Sequence, residues 1–214
     1  MSNTKIIILD FDGTLGNTTT VIIRTMHATI KELGLPSRTD AECATMIGPR
    51  LIEVPLLLFP GLEVDCELYA ETYRKNFKIF NTDGAVEVYP DVLETLKELK
   101  DRGYILTVAS SRSNSTLLTY VKELGLGETI SFIVGAEDVN AGKPNPEAVL
   151  KTLEHFGLKP EEALVVGDTM YDVQMGANAG TKTCAVTYGN GKRETLSEAT
   201  WVIDDFGQLL ELGF

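Results

Sequence analysis

Two clusters of paired aspartates carry the chemistry that this sequence offers. Asp10-Phe11-Asp12-Gly13-Thr14-Leu15 follows directly on the run Ile6-Ile7-Ile8-Leu9. Near the other end, Gly167-Asp168-Thr169-Met170-Tyr171-Asp172 follows Ala163-Leu164-Val165-Val166. Each apolar run reads as a strand buried on both faces, and aspartates are almost never fully buried unless paired. A buried strand that ends in carboxylates therefore points to function, at the end where open α/β sheets bind their ligands. If the two strands are neighbours, four carboxylates converge. Two unit charges about 4 Å apart repel by roughly 4 kcal/mol at an effective dielectric of 20, so the cluster calls for a cation. Oxygen-only ligands suit a hard divalent ion, Mg²⁺ foremost. The plainer alternative is that each aspartate caps the helix that follows it.

Two further strand ends carry polar groups. Val108-Ala109 leads into Ser110-Ser111-Arg112-Ser113, where hydroxyls and free backbone N–H groups at a helix start make an anion site. A simple Ser cap is the competing explanation there. Gly142-Lys143-Pro144-Asn145-Pro146 fixes a lysine in a stiff loop between strand and helix. Alone, such a lysine is a solvated loop charge, and it gains meaning from the other strand ends.

These residues need elements to position them. After the first strand no strand-like run occurs until Tyr89. Thr18–Leu33, Thr39–Ile47, Leu51–Phe59 and Asp65–Phe80 show helical apolar spacing, so 16–87 reads as an all-helical insertion. From Tyr89 onward helices and strands alternate: helix 90–102, strand 104–109, helix 113–124, strand 130–134, helix 145–156, strand 163–167, helix 169–179, strand 183–187, strand 201–203 and helix 206–212. That alternation predicts an α/β fold, a doubly wound parallel sheet with helices on both faces.

The 214 residues suffice for one large domain with a smaller partner. A net charge of −12 argues against nucleic acid and anionic membrane as partners. It would also repel a phosphorylated substrate at long range, so such a site must carry its own cations. Cys43, Cys66 and Cys184 stand at unrelated spacings and read as buried thiols of a reducing compartment. The chain runs straight into its first strand, and no apolar run reaches the roughly 18 residues of a membrane span. The expected location is the cytoplasm, as a monomer or weak dimer.

Taken in order, Asp10-Phe11-Asp12-Gly13-Thr14-Leu15, Ser110, Lys143-Pro144 and Gly167-Asp168 with Asp172 resemble the four motifs of the haloacid dehalogenase-like hydrolase superfamily. Ile47-Gly48-Pro49, Val88-Tyr89-Pro90, the Gly-Lys-Pro-x-Pro run and Val186-Thr187-Tyr188-Gly189 are similar to landmarks of its phosphoglycolate phosphatase group. Two positions depart from that group: Asn17 stands where Asp is common, and Asp91 where Gly is common. Asp91, at a helix N-terminus, is expected to be harmless.

The resemblance implies a Rossmann-like core over 1–15 and 88–214, with 16–87 as its small helical cap. It implies a Mg²⁺-dependent phosphohydrolase acting on a small phosphorylated metabolite. Asp10 would be the nucleophile that forms an aspartyl-phosphate. Asp12 would protonate the leaving oxygen and then activate water, while its backbone carbonyl joins Asp10 and Asp168 on Mg²⁺. Asp172 would support that set from behind. Ser110 and nearby N–H groups would bind phosphoryl oxygens, Ser111 and Arg112 would bind substrate, and Lys143 would neutralise Asp10 and the phosphoryl group. Gly48 and Arg50, at a break between cap helices, would reach down to read the leaving group.

Alternatives share the core residues. A β-phosphoglucomutase-like isomerase would use an Arg and a Lys of the cap, for which Arg50 and Arg74-Lys75 stand ready. A nucleotidase or pyrophosphatase of the same superfamily differs only in its leaving group. A dehalogenase would have no use for Asp12. A signalling receiver domain would carry its acceptor aspartate on a middle strand and lack the helical insertion.

Overall fold

The computed structural model describes residues 3–214. In chain order, β1 (Ile6–Leu9) and β2 (Gly16–Asn17) precede four helices, α1 (Thr19–Glu32), α2 (Asp40–Ala44), α3 (Val54–Leu58) and α4 (Cys66–Phe80). β3 (Glu87–Val88) leads into α5 (Val92–Asp101), β4 (Ile105–Ala109), α6 (Asn114–Glu123), β5 (Phe132–Val134) and α7 (Glu147–Phe156). Then come β6 (Ala163–Gly167), α8 (Met170–Ala179), β7 (Lys182–Val186) and β8 (Trp201–Ile203). Six strands form one parallel sheet in the order β5-β4-β1-β6-β7-β8. Its order reverses at β1, and there the polar strand ends gather.

Strand alternation divides the core in two. Ile7 and Leu9 pack with Leu96, Leu99, Leu117 and Tyr120 on one face. Ile6 and Ile8 pack with Val149, Leu153 and Met175 on the other. All four residues of β1 are fully buried, so the apolar run earns its strand by burial on both sides.

The inserted helices pack around an apolar core of their own that includes Ile22, Met26, Ile47, Val54, Phe59 and Tyr69. α2 opens on a capping box, with Thr39 Oγ1 accepting from Glu42 N at 3.2 Å and Glu42 Oε2 accepting from Thr39 N at 2.7 Å. Two of these helices are shorter than their apolar spacing suggests. α3 starts at Val54 rather than Leu51 because Pro55 must sit in a first turn. α2 stops at Ala44, ahead of the Gly48-Pro49 bend. The last expected helix is a 3₁₀ segment, Phe206–Glu211.

The insertion is joined to the sheet through an unexpected antiparallel ribbon, in which Gly16 pairs with Val88 and Asn17 with Glu87. Asp91 stands in the turn ahead of α5. It has φ 62°, and its side chain makes no cap to α5. A left-handed backbone here explains why glycine suits the position, since aspartate carries a Cβ penalty there. Among the described residues no helix is long and apolar enough to cross a membrane.

Candidate active site

Parallel register brings the polar strand ends together. Leu9 pairs with both Val108 and Val166. The ladders run one residue further: Asp10 N donates to Val166 O at 2.8 Å and Ser110 N to Val134 O at 3.0 Å. Asp10, Ser110 and Asp168 thus leave three adjacent strands at one edge of the sheet, each buried.

Lys143 enters this cluster from the loop before α7. Its Nζ donates to Asp10 Oδ1 in a short contact and to Asp172 Oδ1 at 2.6 Å. The side chain is only 4 % exposed, so it is an interior ion pair and not a solvated charge. Asp172 is fully committed, because its Oδ2 accepts from Thr169 N at 3.0 Å and Thr169 Oγ1 at 2.6 Å. That bonding closes the N-terminal turn of α8 and makes Asp172 a holder of Lys143. Burial would lower the lysine, but Asp10 and Asp172 more than reverse this and keep it charged. Burial pushes the Asp10 carboxyl well up, with Lys143 pulling against it and Asp172 and Asp168 adding to the rise.

Asp168 lies close to both Asp10 and Asp172. Asn190 donates to its Oδ2 through N at 2.6 Å and Nδ2 at 3.0 Å. Burial first, and then Asp172, raise the Asp168 carboxyl to about 7. The chain packs so closely here that a Cβ on Gly13, at φ +88°, would lie 2.1 Å from Asp168 Oδ2. Only glycine permits both that turn and that approach.

Asp12 sits beside this cluster and is tied to Arg112. Arg112 Nε donates to its Oδ2 at 3.0 Å and Nη2 to its Oδ1 at 2.5 Å, a bidentate pair. The guanidinium lies 5.1 Å from the ring centres of Phe77, on α4, and of Tyr120, on α6. Asp12, Arg112 and Phe77 help wall a cavity of about 430 Å³ between the sheet edge and the inserted helices. Asp10, Asp12, Ser110, Ser111, Arg112 and Gly48 line it, as do apolar residues of the insertion such as Met26, Ile47 and Tyr73.

The structure thus brings Asp10, Ser110, Lys143, Asp168 and Asp172 together, with Asp12 and Arg112 next to them. Three other candidates lie where the insertion meets the sheet edge. Ser111 Oγ donates to Gly48 O at 2.5 Å. Gly48, at φ +126°, comes so close to Tyr171 that a Cβ would sit 3.0 Å from its ring. Arg50 does not reach the cavity: its Nη1 donates to Asn140 O at 2.7 Å, beside the Lys143 loop. Arg50→Ala is therefore expected to lower kcat/KM by roughly tenfold, the scale of a weak charged hydrogen bond. The loss should be equal on an anionic substrate and on p-nitrophenyl phosphate, because seating of the insertion is what suffers. A selective loss on the anionic substrate alone would return Arg50 to the leaving-group site.

Sequence reasoning missed Asn190, Thr169 and Tyr73. Asn190 had a usable signal, since Gly189-Asn190-Gly191 is a turn at the end of a fifth parallel strand. Tyr73 had none, being one aromatic among several on α4.

The donor set fits a divalent ion. Three carboxylates, those of Asp10, Asp168 and Asp172, have oxygens within 4.8 Å of one another, and Lys143 alone leaves two negative charges in excess. With both Asp172 oxygens taken, Asp10 and Asp168 are the side chains left to hold the ion, and oxygen donors suit a hard cation. A pH test follows. Asp168 stands at about 7 when folded against an ordinary 3.8. A raised value means that the folded state binds the extra proton, so metal-free stability falls as pH climbs from about 4 to about 7. Millimolar Mg²⁺ favours the ionised carboxylates, and its gain in Tm should widen over that range. Melting curves in EDTA and in Mg²⁺ check this, and a Mg²⁺ shift that shrinks with rising pH would contradict it.

The site lies at the carboxyl ends of a parallel α/β sheet, with its nucleophile candidate on β1. The chain belongs to the haloacid dehalogenase-like hydrolase family, whose profile matches residues 7–186. Pyrophosphatase PpaX of Bacillus velezensis is 34% identical over 209 residues, 96% of this chain and 94% of that protein. Phosphoglycolate phosphatase of Aquifex aeolicus is 36% identical over 186 residues, 86% of this chain and 85% of that protein. A haloacid dehalogenase-like family hydrolase from Streptococcus pneumoniae shares the fold at a TM-score of 0.84 and 24% identity, covering 99% of both chains. Within the family the chain falls in the phosphoglycolate phosphatase-like group.

Proposed function

We propose that the protein is a Mg²⁺-dependent phosphatase that cleaves a small phosphate ester or anhydride, of the phosphoglycolate or pyrophosphate type, through an aspartyl-phosphate on Asp10. The observation that carries this reading is the buried Lys143 bridging Asp10 and Asp172 at the end of the central strand. An ionised carboxylate held there has a cation beside it to receive a phosphoryl group. Asp10 Oδ attacks phosphorus while the bond to the leaving oxygen breaks, and Asp12 supplies the proton that oxygen needs. Water then attacks the aspartyl-phosphate phosphorus, giving its proton to Asp12 and restoring the Asp10 carboxylate. Ser110 and Lys143 hold phosphoryl oxygens throughout. Asp10, Asp168 and the Asp12 backbone carbonyl would hold Mg²⁺, which would supply charge neutralisation for the phosphoryl transfer. The inserted helices act as a cap that excludes water. Phosphate release should be measured with Mg²⁺ over phosphoglycolate, pyrophosphate, sugar phosphates and nucleotides. Release from none of them would overturn the reading.

A further inference from the structure

The pairing of Asp12 with Arg112 sets a condition on the substrate. Both Asp12 oxygens accept from one guanidinium, and the two side chains are 15% and 10% exposed. A carboxylate gripped in this way is not free to serve a leaving oxygen. Arg112 cannot let go without a replacement, because breaking a desolvated pair strands both charges. Two rings, Phe77 from the inserted helices and Tyr120 from the sheet side, keep the guanidinium in place. Its Nη1 has no hydrogen-bond partner among the described residues, and Arg112 lines the cavity above the phosphoryl site.

From this geometry we infer that Arg112 exchanges Asp12 for an anion carried by the leaving group itself. The substrate class is then a phosphate ester or anhydride whose leaving group bears a second negative charge a few bonds from phosphorus. That anion meets the free Nη1 first and then takes over the fork, which a planar guanidinium accepts from carboxylate and phosphate alike. Asp12 is released when such a substrate is bound, and the freed carboxylate takes a proton from solvent to pass to the leaving oxygen. A neutral leaving group leaves the pair closed and so lacks the acid that it needs. This inference rests on the phosphatase reading above and adds a selection rule to it. It also accounts for why one site geometry can accompany two substrates as different as a carboxylate-bearing ester and a diphosphate.

Matched substrates test it. Phosphoglycolate and 2-hydroxyethyl phosphate differ in a carboxylate against a hydroxymethyl group, and steady-state kinetics with Mg²⁺ can compare them in wild type, Arg112→Met and Arg112→Lys. Wild type should prefer phosphoglycolate by roughly 100-fold in kcat/KM, the scale of a charged hydrogen-bonded pair. Arg112→Met should lose most of that preference by falling on phosphoglycolate while its kcat on 2-hydroxyethyl phosphate rises, since Asp12 is no longer held. Arg112→Lys keeps the charge without the fork, and its preference should be intermediate. It also carries the test if the Met variant does not fold, as judged by its melting curve. If the variants lower both substrates by one common factor, Arg112 merely supports the site and the exchange is refuted. If wild type hydrolyses both substrates equally, the selection rule fails while the phosphatase reading stands. If it releases phosphate from no substrate in the wider panel, both fall together.

Discussion

Asp10→Asn is expected to abolish phosphate release and the phosphoenzyme together. The amide oxygen is a far weaker nucleophile than the carboxylate, and no neighbouring group can replace it. Asp172 has both oxygens committed to Lys143 and Thr169. Asp168 is bound by Asn190. Of the other carboxylates on the cavity wall, Asp12 is held by Arg112, and Glu137 accepts from Asn114 N at 2.8 Å. Loss should therefore reach the floor of the assay, beyond the roughly 10²–10⁴-fold that removal of an acid–base group costs. Folding should survive, because the amide is nearly isosteric and still accepts from Lys143, and because one of three crowded carboxylates is gone. Phosphate release and trapping of the acyl-phosphate with hydroxylamine check the expectation. A variant that still forms a hydroxylamine-sensitive phosphoenzyme would place the nucleophile on another residue.

Lys143→Met should be as damaging to activity and much worse for the fold. The lysine is the shared cation of two buried aspartates. Methionine fills similar space but leaves both carboxylates unpaired, and breaking a buried pair from one side costs about 3–5 kcal/mol. Against a typical total stability of about 5–15 kcal/mol, that is a large fraction. Urea unfolding should show a markedly lower midpoint at neutral pH. Mg²⁺ should restore part of it by supplying another cation, whereas turnover stays at least about 10²-fold down, as for a lost charge-stabilising donor. A Lys143→Met midpoint equal to that of wild type would mean that the lysine is an ordinary loop charge.

Much of this site was legible because buried strands have a blunt signature. Ile6–Leu9 and Ala163–Val166 are apolar on both faces, so an aspartate at the end of either has no structural excuse. The same reasoning marked Ser110 and Lys143, although each is common enough alone to have a plain alternative. What could not be read depends on meetings between distant segments. The β2–β3 ribbon is two residues long on each side and has no periodicity to detect. Asp12 and Arg112 were each assigned a partner in the substrate, and nothing in their local sequence says that they find each other first. Arg50 stands next to the Gly48-Pro49 bend, and which way it turns is decided by how the insertion seats on the Lys143 loop. Asp91 is a case where local sequence is silent: an acid ahead of a helix says nothing of its backbone sign, which is set by the turn that precedes α5.

Strand β1 ties catalysis to parity. Ile6 and Ile8 belong to one half of the core and Ile7 and Leu9 to the other, and Asp10 continues the first series. Removing or adding a single residue in β1 would exchange the two halves and carry Asp10 to the face opposite Lys143 and Asp172. Both halves are apolar, so such a chain could still collapse into a sheet while its chemistry was aimed the wrong way. Length variation in this stretch is thus tolerable only in steps of two. Between α3 and α4, where Pro60, Gly61 and Leu62 are exposed, no such arithmetic applies, and insertions of any length leave the aspartates where they are.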